Sequence, residues 1–488
     1  MRSKLLGVLI LTYLNGNAQI LRESSISNVE NGLIKQSVIP INESKKGSSI
    51  LVELQAERVN GMSVAVINDF KIEWAKAYGV ADKSKGNPVT TETLFQCASI
   101  GKVITTMAAL KLVRDGKVGL DENINNKLTS WRIEENEFTV KEKVTLRRLL
   151  THTAGLLDDY GFEGYKPIDK IPTLLQILNN QPPSNAKKII RPGAIPAATV
   201  KYSGGGFLVI QQMIEDITRQ SFKDYVTQNI FTKLEMTNST YDFFPDVVGN
   251  KSIARGHYRN GNIDKRYQYL VYPELAAAGF WTTAVDLAKL VIEIQKEYKG
   301  VSELILNQQL CKEMLTPQKD FRGLGVHLVG AARAEAFWHA GNNAGYVGLF
   351  YGLVDSGKGA VVLTNSDAGE NIALKTVTSI ATTYNWPVMK TYNAIEIKKA
   401  EIIDYIGTYI YADSVVLKIG ENRKGLFMMP VSPKKEIPLY KLADNEFTFN
   451  APDCNYLKMY FDKKEGTVTG IYFIQNLGKT FFFKKIKD

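Results

Sequence analysis

An α+β fold is predicted for most of this chain: an antiparallel sheet flanked by helices, with a mostly helical subdomain, followed by a small all-β barrel. Strand patterns occur at both ends of one long segment, near residues 61–78 and 323–364, and helical sequence lies between them. Both ends of that segment are therefore expected in one antiparallel sheet. After Trp386-Pro387 the apolar period becomes two, with candidate strands about 9–12 residues apart, which is typical of a small barrel.

The individual elements follow from apolar spacing and turn residues. Ser49–Val59 and Val103–Arg114 have helical spacing, and Asp115-Gly116 ends the second helix. Gly206–Thr218 is predicted to be an amphipathic helix, and a further helix is expected from Ile372 to Tyr384. Short apolar stretches predict strands at Gly61–Ile67, Lys71–Tyr78, Gly323–Leu328, Glu335–Ala340, Tyr346–Leu353 and Gly359–Thr364. The expected barrel strands start near residues 406, 415, 425, 437, 446, 456, 468 and 480.

The length of 488 residues and the hydrophobic content of 44% are enough for more than one domain. Residues 1–18 combine a basic start, the apolar run Leu5–Leu14 and small residues at Gly16–Ala18, which is the pattern of a secretory signal peptide. The run is too short to span a bilayer, so we expect a periplasmic or extracellular protein without a stable membrane anchor. The expected domains are 45–388, which carries the mixed sheet, and 395–488, the barrel.

Charge and cysteine content argue against several classes of protein. The net charge of +10 comes from scattered basic residues, with no basic stripe among aromatic residues, so nucleic acid is not an expected partner. The widely spaced Cys97, Cys311 and Cys454 argue against a disulfide framework. The four histidines lack metal-ligand spacing. We therefore expect no metal and no cofactor, and the sequence leaves the oligomeric state open.

The most informative motif is Ser99-Ile-Gly-Lys102, which runs directly into helical sequence. Ser and Lys three residues apart share one face of a helix, and a helix N-terminus stabilises an anion. The pair can therefore act as nucleophile and base, provided that burial makes the lysine neutral. Two other Ser-x-x-Lys matches, Ser184…Lys187 and Ser432…Lys435, lie in proline-containing loops. The alternative is a helix-capping Ser99 beside a solvated Lys102.

Two further motifs combine polar groups with glycines. Lys201-Tyr-Ser-Gly-Gly-Gly206 places Tyr202 at the start of a helix, with glycines that allow the backbone to approach a site closely. Trp338-His-Ala-Gly-Asn-Asn-Ala-Gly345 lies on a predicted strand, whose edge can give a backbone N–H to a developing oxyanion. The alternatives are a glycine-rich turn with a packed Tyr202 and an ordinary hairpin with a partly buried His339.

Taken in this order, the motifs resemble the serine β-lactamase and penicillin-binding-protein superfamily. Within it they are most similar to the class C-like branch of β-lactamase-related hydrolases, D-aminopeptidases and esterases. That branch has Ser-x-x-Lys, then Tyr-x-Asn or a variant, then Lys-Thr-Gly or His-x-Gly. The matching residues in this chain are Ser99-Ile-Gly-Lys102, Tyr202-Ser-Gly204 and His339-Ala-Gly341.

Two further segments, Leu149–Leu156 and Ala277–Leu287, also resemble signatures of that branch. The resemblance covers residues 45–385 and implies the β-lactamase/transpeptidase-like fold. Residues 395–488 resemble the lipocalin-like β-barrel that some members carry. We expect this barrel to be a separate folding unit that shapes access to the site and supplies no catalytic group.

The resemblance implies an acyl-enzyme mechanism. Ser99 would attack a carbonyl carbon, Lys102 would accept its proton, and Tyr202 would share the proton transfers and assist deacylation by water. The backbone N–H groups of Ser99 and Asn342 would form the oxyanion hole. His152 also matches a family motif, and we expect it to be structural. The implied substrate-binding residues are Gly204, His339, Gly341 and Asn342.

Two departures from the family pattern bear on the substrate. Gly204 stands where the family has a side-chain amide that contacts an acylamide. His339 replaces a permanent cation; it would steer a carboxylate with a pH-dependent charge, or hydrogen-bond Tyr202. We expect a secreted serine hydrolase that cleaves an amide or ester bond in a small molecule or short peptide. D-configured, peptide-like compounds are the first expected substrates. The alternatives are a β-lactamase or D-Ala-D-Ala carboxypeptidase and, in another class, a non-catalytic ligand-binding protein.

Overall fold

The structure, a computed structural model, describes residues 19–34, 37–41, 47–158, 161–249, 251–259, 269–330, 333–389, 391–412, 415–430, 434–450, 458–474 and 479–486. The chain forms two compact units. Leu54–Ala373 is called here the mixed unit, and the residues up to Glu53 together with those from Leu374 onward are called the barrel unit. The signal peptide predicted at residues 1–18 lies outside the described residues. The domain boundaries 45–388 and 395–488 stay predictions.

The elements are numbered in chain order through the described residues. The strands are β1 (Val38–Ile39), β2 (Gly61–Asn68), β3 (Lys71–Asp82), β4 (Asn87–Pro88), β5 (Phe95–Gln96), β6 (Trp281–Thr282), β7 (His327–Val329), β8 (Ala336–Asn343), β9 (Tyr346–Leu353), β10 (Gly359–Thr364), β11 (Tyr392–Asn393), β12 (Gly407–Tyr411), β13 (Val415–Asn422), β14 (Gly425–Pro430), β15 (Ile437–Pro438), β16 (Tyr440–Ala443), β17 (Glu446–Thr448), β18 (Lys458–Lys464), β19 (Thr467–Ile474) and β20 (Thr480–Ile486).

The α-helices are α1 (19–31), α2 (Ile50–Ala56), α3 (Gly101–Arg114), α4 (Leu146–Leu150), α5 (Leu174–Leu178), α6 (Gly205–Thr218), α7 (Phe222–Val226), α8 (Pro245–Val248), α9 (Leu275–Ala278), α10 (Ala284–Lys299), α11 (Gln308–Met314), α12 (Gly369–Thr383) and α13 (Lys399–Tyr405). Short 3₁₀ turns cover Ala98–Ile100, Ile124–Asn126 and Glu137–Thr139, and Thr227–Phe231 is a π-helical turn. Within the residues described, none of the helices combines the length and apolar character that a membrane span needs.

A seven-stranded antiparallel sheet forms the centre of the mixed unit, with the strand order β4-β3-β2-β10-β9-β8-β7. Every residue of β9 and β10 is buried, as expected for apolar runs without polar alternation. Val362 of β10 pairs with Val64 of β2 on one side and Leu349 of β9 on the other. Early strands β2 and β3 thus join late strands β7 to β10, which confirms the predicted α+β class.

Two helices of the mixed unit, α3 and α6, are buried along most of their length. The two ends of the amphipathic α10 coincide with a capping side chain and a glycine. Its first turn is capped by the Thr283 side chain, which accepts the Asp286 backbone N–H, and it ends at Gly300 with a φ of 71°. The helices predicted at Val103–Arg114 and Gly206–Thr218 are found as α3 and α6, whereas α10 was not among the helices predicted individually.

Two of the predicted boundaries that differ from the observed ones have a cause in the backbone. The strand expected at Gly323–Leu328 is found only as β7, because the chain turns at Gly325, where φ is 66° and a Cβ would lie 1.8 Å from Thr106 Oγ1. The helix expected to reach Val59 ends as α2, since Arg58 has the left-handed φ of 58°. Both differences arise from backbone turns that interrupt an otherwise regular apolar pattern.

The barrel unit contains a nine-stranded sheet with the order β15-β14-β13-β12-β20-β19-β18-β17-β16, which forms a nearly closed barrel. Its two edge strands are consecutive in the chain and are separated by Leu439 alone. The one strand expected near residue 437 is thus divided in two, because Pro438 has no N–H for a ladder hydrogen bond. The core of the barrel consists of Tyr405, Tyr409, Leu417, Ile419, Leu426, Met428, Leu439, Phe447, Met459, Phe461, Val468 and Ile471.

Candidate active site

Ser99 lies in the 3₁₀ turn that leads into α3, and its side chain lines a cavity. The preceding residue, Ala98, has a φ of 45°, which is uncommon for a residue with a Cβ. The N-cap of α3 is Ile100, so Ser99 is not the capping residue of that helix. The turn instead presents the Ser99 hydroxyl to the cavity beside the start of a buried helix.

Lys102 lies one turn further, on α3, with a side chain that is almost completely buried. Its Nζ is 3.0 Å from Ser99 Oγ and donates a hydrogen bond of 2.8 Å to the Ala277 carbonyl oxygen. The residue is 2% exposed, which excludes the alternative of a solvated lysine. Burial lowers the pKa of the Lys102 ammonium from its ordinary 10.5 to about 7, although the Asp158 carboxylate opposes the shift. The neutral amine is therefore accessible near neutral pH.

Tyr202 faces the same two residues from the segment before α6. Its phenol is hydrogen-bonded to the Ser99 side chain, and burial raises the pKa of Tyr202 to about 12. The Lys102 Nζ is 5.1 Å from the centre of the Tyr202 ring, and the Arg322 guanidinium carbon is 5.9 Å from it. The structure thus brings Ser99, Lys102 and Tyr202 together, with Tyr202 protonated and a permanent cation nearby.

The backbone around Tyr202 is held by two buried side chains, His152 and Asp158. The His152 ring stacks on the Tyr202 ring at 4.3 Å, and its Nδ1 accepts the Ser203 N–H at 3.1 Å. Burial keeps the pKa of His152 well below 6.5, so Nδ1 is available as an acceptor. The Asp158 carboxylate accepts the Ser203 hydroxyl and the Gly205 N–H, each at 2.7 Å. These contacts agree with the expected structural role of His152.

Strand β8 contributes His339 to the opposite wall of the cavity. The Nδ1–H of His339 donates to the Ala340 carbonyl oxygen at 2.6 Å, which leaves Nε2 as the acceptor nitrogen. Burial, together with the neighbouring His327 and Lys102, keeps the pKa of His339 well below its ordinary value. His327 stacks on Trp338 at 4.5 Å, and burial lowers its pKa to about 3. Both histidines are therefore neutral near pH 7.

Gly341 and Asn342 bring the backbone of β8 against the nucleophile. A Cβ on Gly341 would lie 2.0 Å from the Cys97 carbonyl oxygen and 3.1 Å from the Ser99 nitrogen, so only glycine allows this approach. Asn343 and Tyr346 pair across a two-residue turn. Because hydrogen-bonded and non-hydrogen-bonded pairs alternate along an antiparallel ladder, the Asn342 N–H points away from β9. It lies on the strand edge that borders Ser99.

Gly204 is in the ordinary helical conformation, with φ −72° and ψ −41°. Its backbone therefore does not require glycine. A Cβ at this position would instead lie 2.8 Å from Cε2 and 2.9 Å from Cζ of Phe162. The ring of Phe162 is thus the group that meets any side chain at position 204.

The cavity has a volume of about 510 Å³, and a second cavity of about 280 Å³ adjoins it at Gly161 and Phe162. In the described part of the chain, no cluster of three His, Cys, Asp or Glu residues is placed to hold a metal. Several other lining residues were not predicted to belong to the site, although Trp338, Ala277 and Ala278 lie within motif segments named above. These additional lining residues are Phe162, Ala277, Ala278, His327, Trp338 and Glu370.

Fold and site together define a serine hydrolase of the β-lactamase/transpeptidase type. Residues 48–383 match the sequence model of the family described as Beta-lactamase, and the chain belongs to that family. The match agrees with the predicted resemblance over residues 45–385, which is confirmed at the level of the superfamily.

Several of the similar proteins have names that concern D-alanine. The teichoic acid D-alanine hydrolase of Staphylococcus aureus is 25% identical over 300 residues, which are 59% of this chain and 70% of the relative. Two solved structures have a TM-score of 0.55 and show the fold alone. The octameric penicillin-binding protein homologue from Pyrococcus abyssi is 20% identical and covers 89% of this chain and 98% of its own. The D-alanine carboxypeptidase AmpC from Burkholderia cenocepacia is 17% identical, and the match covers 73% of this chain and 98% of that protein.

Proposed function

We propose that this serine hydrolase cleaves small esters or amides with a D-alanyl-type acyl group, through an acyl-enzyme on Ser99. The observation that carries the proposal is the 3.0 Å contact between the buried Lys102 Nζ and Ser99 Oγ, together with the lowered pKa of about 7 for Lys102. A lysine that is neutral near pH 7 is a competent base for a serine hydroxyl.

In the acylation step, the Ser99 oxygen bonds to the substrate carbonyl carbon and its proton passes to Lys102 Nζ. The negative charge that develops on the carbonyl oxygen is stabilised by the backbone N–H groups of Ser99 and Asn342, which border the same part of the cavity. The leaving group departs with a proton relayed from Lys102 through the Tyr202 phenol. Deacylation reverses these roles, with water as the attacking group.

The substrate preference follows from the charges around the cavity. The neutral His339 does not supply the permanent positive charge that would hold a β-lactam carboxylate, and Gly204 supplies no amide for an acylamide. Arg322, near Tyr202, is the permanent cation closest to the proposed chemistry among the contacts described. The neutral His339 and the missing amide at Gly204 favour simple aminoacyl esters and amides over penicillins. The name of the S. aureus relative supports D-alanine as the acyl group.

The experiment is covalent labelling followed by a substrate panel. Treatment with a fluorophosphonate should add one adduct mass to the wild type and to a Ser84→Ala control, and none to Ser99→Ala. D-Alanyl p-nitrophenyl ester and anilide should be hydrolysed faster than their L-forms and faster than nitrocefin. No adduct on the wild type would favour a binding protein, and a preference for nitrocefin would favour a β-lactamase.

We also propose that the protein acts outside the cytoplasm, in the periplasm or the medium. The support is the sequence pattern of residues 1–18, with its basic start and short apolar run. N-terminal sequencing of protein recovered from those fractions should give a mature chain that begins near Gln19. Recovery of the full-length chain from the cytoplasm alone would contradict the proposal.

A further inference from the structure

The space that a side chain of Gly204, two residues after Tyr202, would occupy is taken by the aromatic ring of Phe162. Gly204 has a backbone conformation that any residue can adopt, yet a Cβ there would collide with two ring carbons of Phe162, at 2.8 and 2.9 Å. Tyr202 itself is hydrogen-bonded to Ser99. The ring of residue 162 therefore lies next to the proposed reaction centre. It occupies the volume that a side chain of residue 204 would need.

The same ring separates two cavities. Phe162 lines the cavity of about 510 Å³ that contains Ser99 and also the adjoining cavity of about 280 Å³. Among the residues that the structure describes, one other lines both cavities, and this is Gly161, which has no side chain. Beyond the ring, the second cavity has an apolar side formed by Ile177 and Ile190. Much of the rest of its border is polar or charged and includes Asp158, Glu163, Lys187 and Lys188. The ring of Phe162 thus stands between the catalytic cavity and a second cavity whose lining is partly apolar and partly charged.

We propose that Phe162 determines which acyl groups the site accepts. Its ring limits the acyl group to a small one without an acylamino branch, such as acetyl or alanyl, and the second cavity is an acyl extension that the ring keeps closed. The inference rests on the proposed acyl transfer at Ser99 and adds the size of the acyl group to it. Ile177 and Ile190 form the apolar side of the second cavity, against which a hydrocarbon chain would pack once the ring is removed.

The test compares acyl chain length at a constant leaving group. The values of kcat/KM for p-nitrophenyl acetate, butyrate and octanoate are measured for the wild type, Phe162→Ala and the milder Phe162→Leu. Phe243→Ala is the matched control, because this half-buried phenylalanine lines neither cavity. The wild type should prefer acetate, and Phe162→Ala should raise the octanoate-to-acetate ratio at least about tenfold, since a few methylenes in a fitting pocket are worth that factor or more. The control should keep the wild-type ratio.

Two further measurements separate the possible failures. Fluorophosphonate labelling counts intact Ser99 sites: an unlabelled wild type would overturn the proposed function and this inference with it. Labelled variants with an unchanged chain-length ratio would overturn this inference alone. A series of acetate esters with larger leaving groups should respond equally in the wild type and Phe162→Ala. If Phe162→Ala selectively gained activity on the esters with larger leaving groups, the second cavity would belong to the leaving group. That result would overturn the acyl assignment.

A double-mutant cycle tests the direct conflict between residues 162 and 204. Gly204→Ala alone should change acetate turnover, because its methyl group would collide with the Phe162 ring and shift it, and this ring borders the catalytic cavity. The same substitution in the Phe162→Ala background should have little effect, since the colliding ring carbons are gone. Additive effects of the two substitutions would show that the ring does not control this position.

Discussion

Replacement of Lys102 by Met should abolish turnover and yet stabilise the folded protein at neutral pH. The pKa of Lys102 falls from 10.5 to about 7 in the folded state, which corresponds to about 5 kcal/mol of unfavourable free energy for the buried ammonium. Methionine has a similar length and no charge. It leaves the Ala277 carbonyl oxygen without the hydrogen bond of Lys102, at a cost of about 1–3 kcal/mol. The expected net gain below pH 7 is therefore about 2–4 kcal/mol.

The stability gain of Lys102→Met should decrease as the pH rises. Between pH 7 and 10.5 the unfolded lysine binds a proton that the folded lysine does not, so the wild type gains stability as the pH rises. The penalty is absent above about pH 10.5 and complete below about pH 7. From pH 7 to pH 9 the advantage of Lys102→Met should shrink by about 2 kcal/mol.

Equilibrium urea denaturation of the wild type and Lys102→Met at pH 7, 8 and 9 measures this difference, with the exposed Lys117→Met as the control. The control should show no such trend. A stability difference for Lys102→Met that is independent of pH would refute the assignment of a lowered pKa. In the wild type, kcat/KM should rise with pH through about 7, as Lys102 becomes neutral.

Substitutions at three other residues have defined outcomes. Ser99→Ala should lose fluorophosphonate labelling while its melting temperature changes by only a few degrees, because Ser99 does not cap α3. Tyr202→Phe should lower kcat by about 10²–10⁴ in stopped-flow or steady-state assays, the range for loss of a general acid–base group. Asp158→Ala leaves two buried groups unpaired, the Ser203 hydroxyl and the Gly205 N–H, and should lower the free energy of unfolding by about 1–3 kcal/mol for each. In the same urea titration, Asp158→Asn should lower it by less.

The sequence predicts the fold class well where a local pattern coincides with burial. The apolar runs of β9 and β10 and the alternating strands of the barrel are visible in the sequence because each buried face needs its own apolar residues. Errors occur where a backbone turn interrupts such a run. Gly325 shortens β7, and Pro438 divides one predicted barrel strand into two.

The motif residues of the site could also be predicted, whereas their surroundings could not. Phe162 and Arg322 lie in loops with no periodic pattern, so their approach to Tyr202 and Gly204 depends on the path of the chain. Asp158 follows a recognised motif by two residues, which was the one available signal. The charge of His339 was predicted to vary with pH, but burial makes the ring neutral near pH 7, which no sequence pattern reports.

Three of the four histidines of the chain, His152, His327 and His339, lie around Tyr202 and the cavity, but their environment removes them as candidates for the general base. The pKa of each is lowered well below neutrality, so none changes its charge in the pH range where Lys102 does. Their contributions are instead geometric: His152, for example, accepts the Ser203 N–H and stacks on Tyr202. The titrating group and the positioning groups are therefore separate. A change of pH from 6 to 8 alters the reactivity of Lys102 and leaves the hydrogen bonds that orient Tyr202 intact.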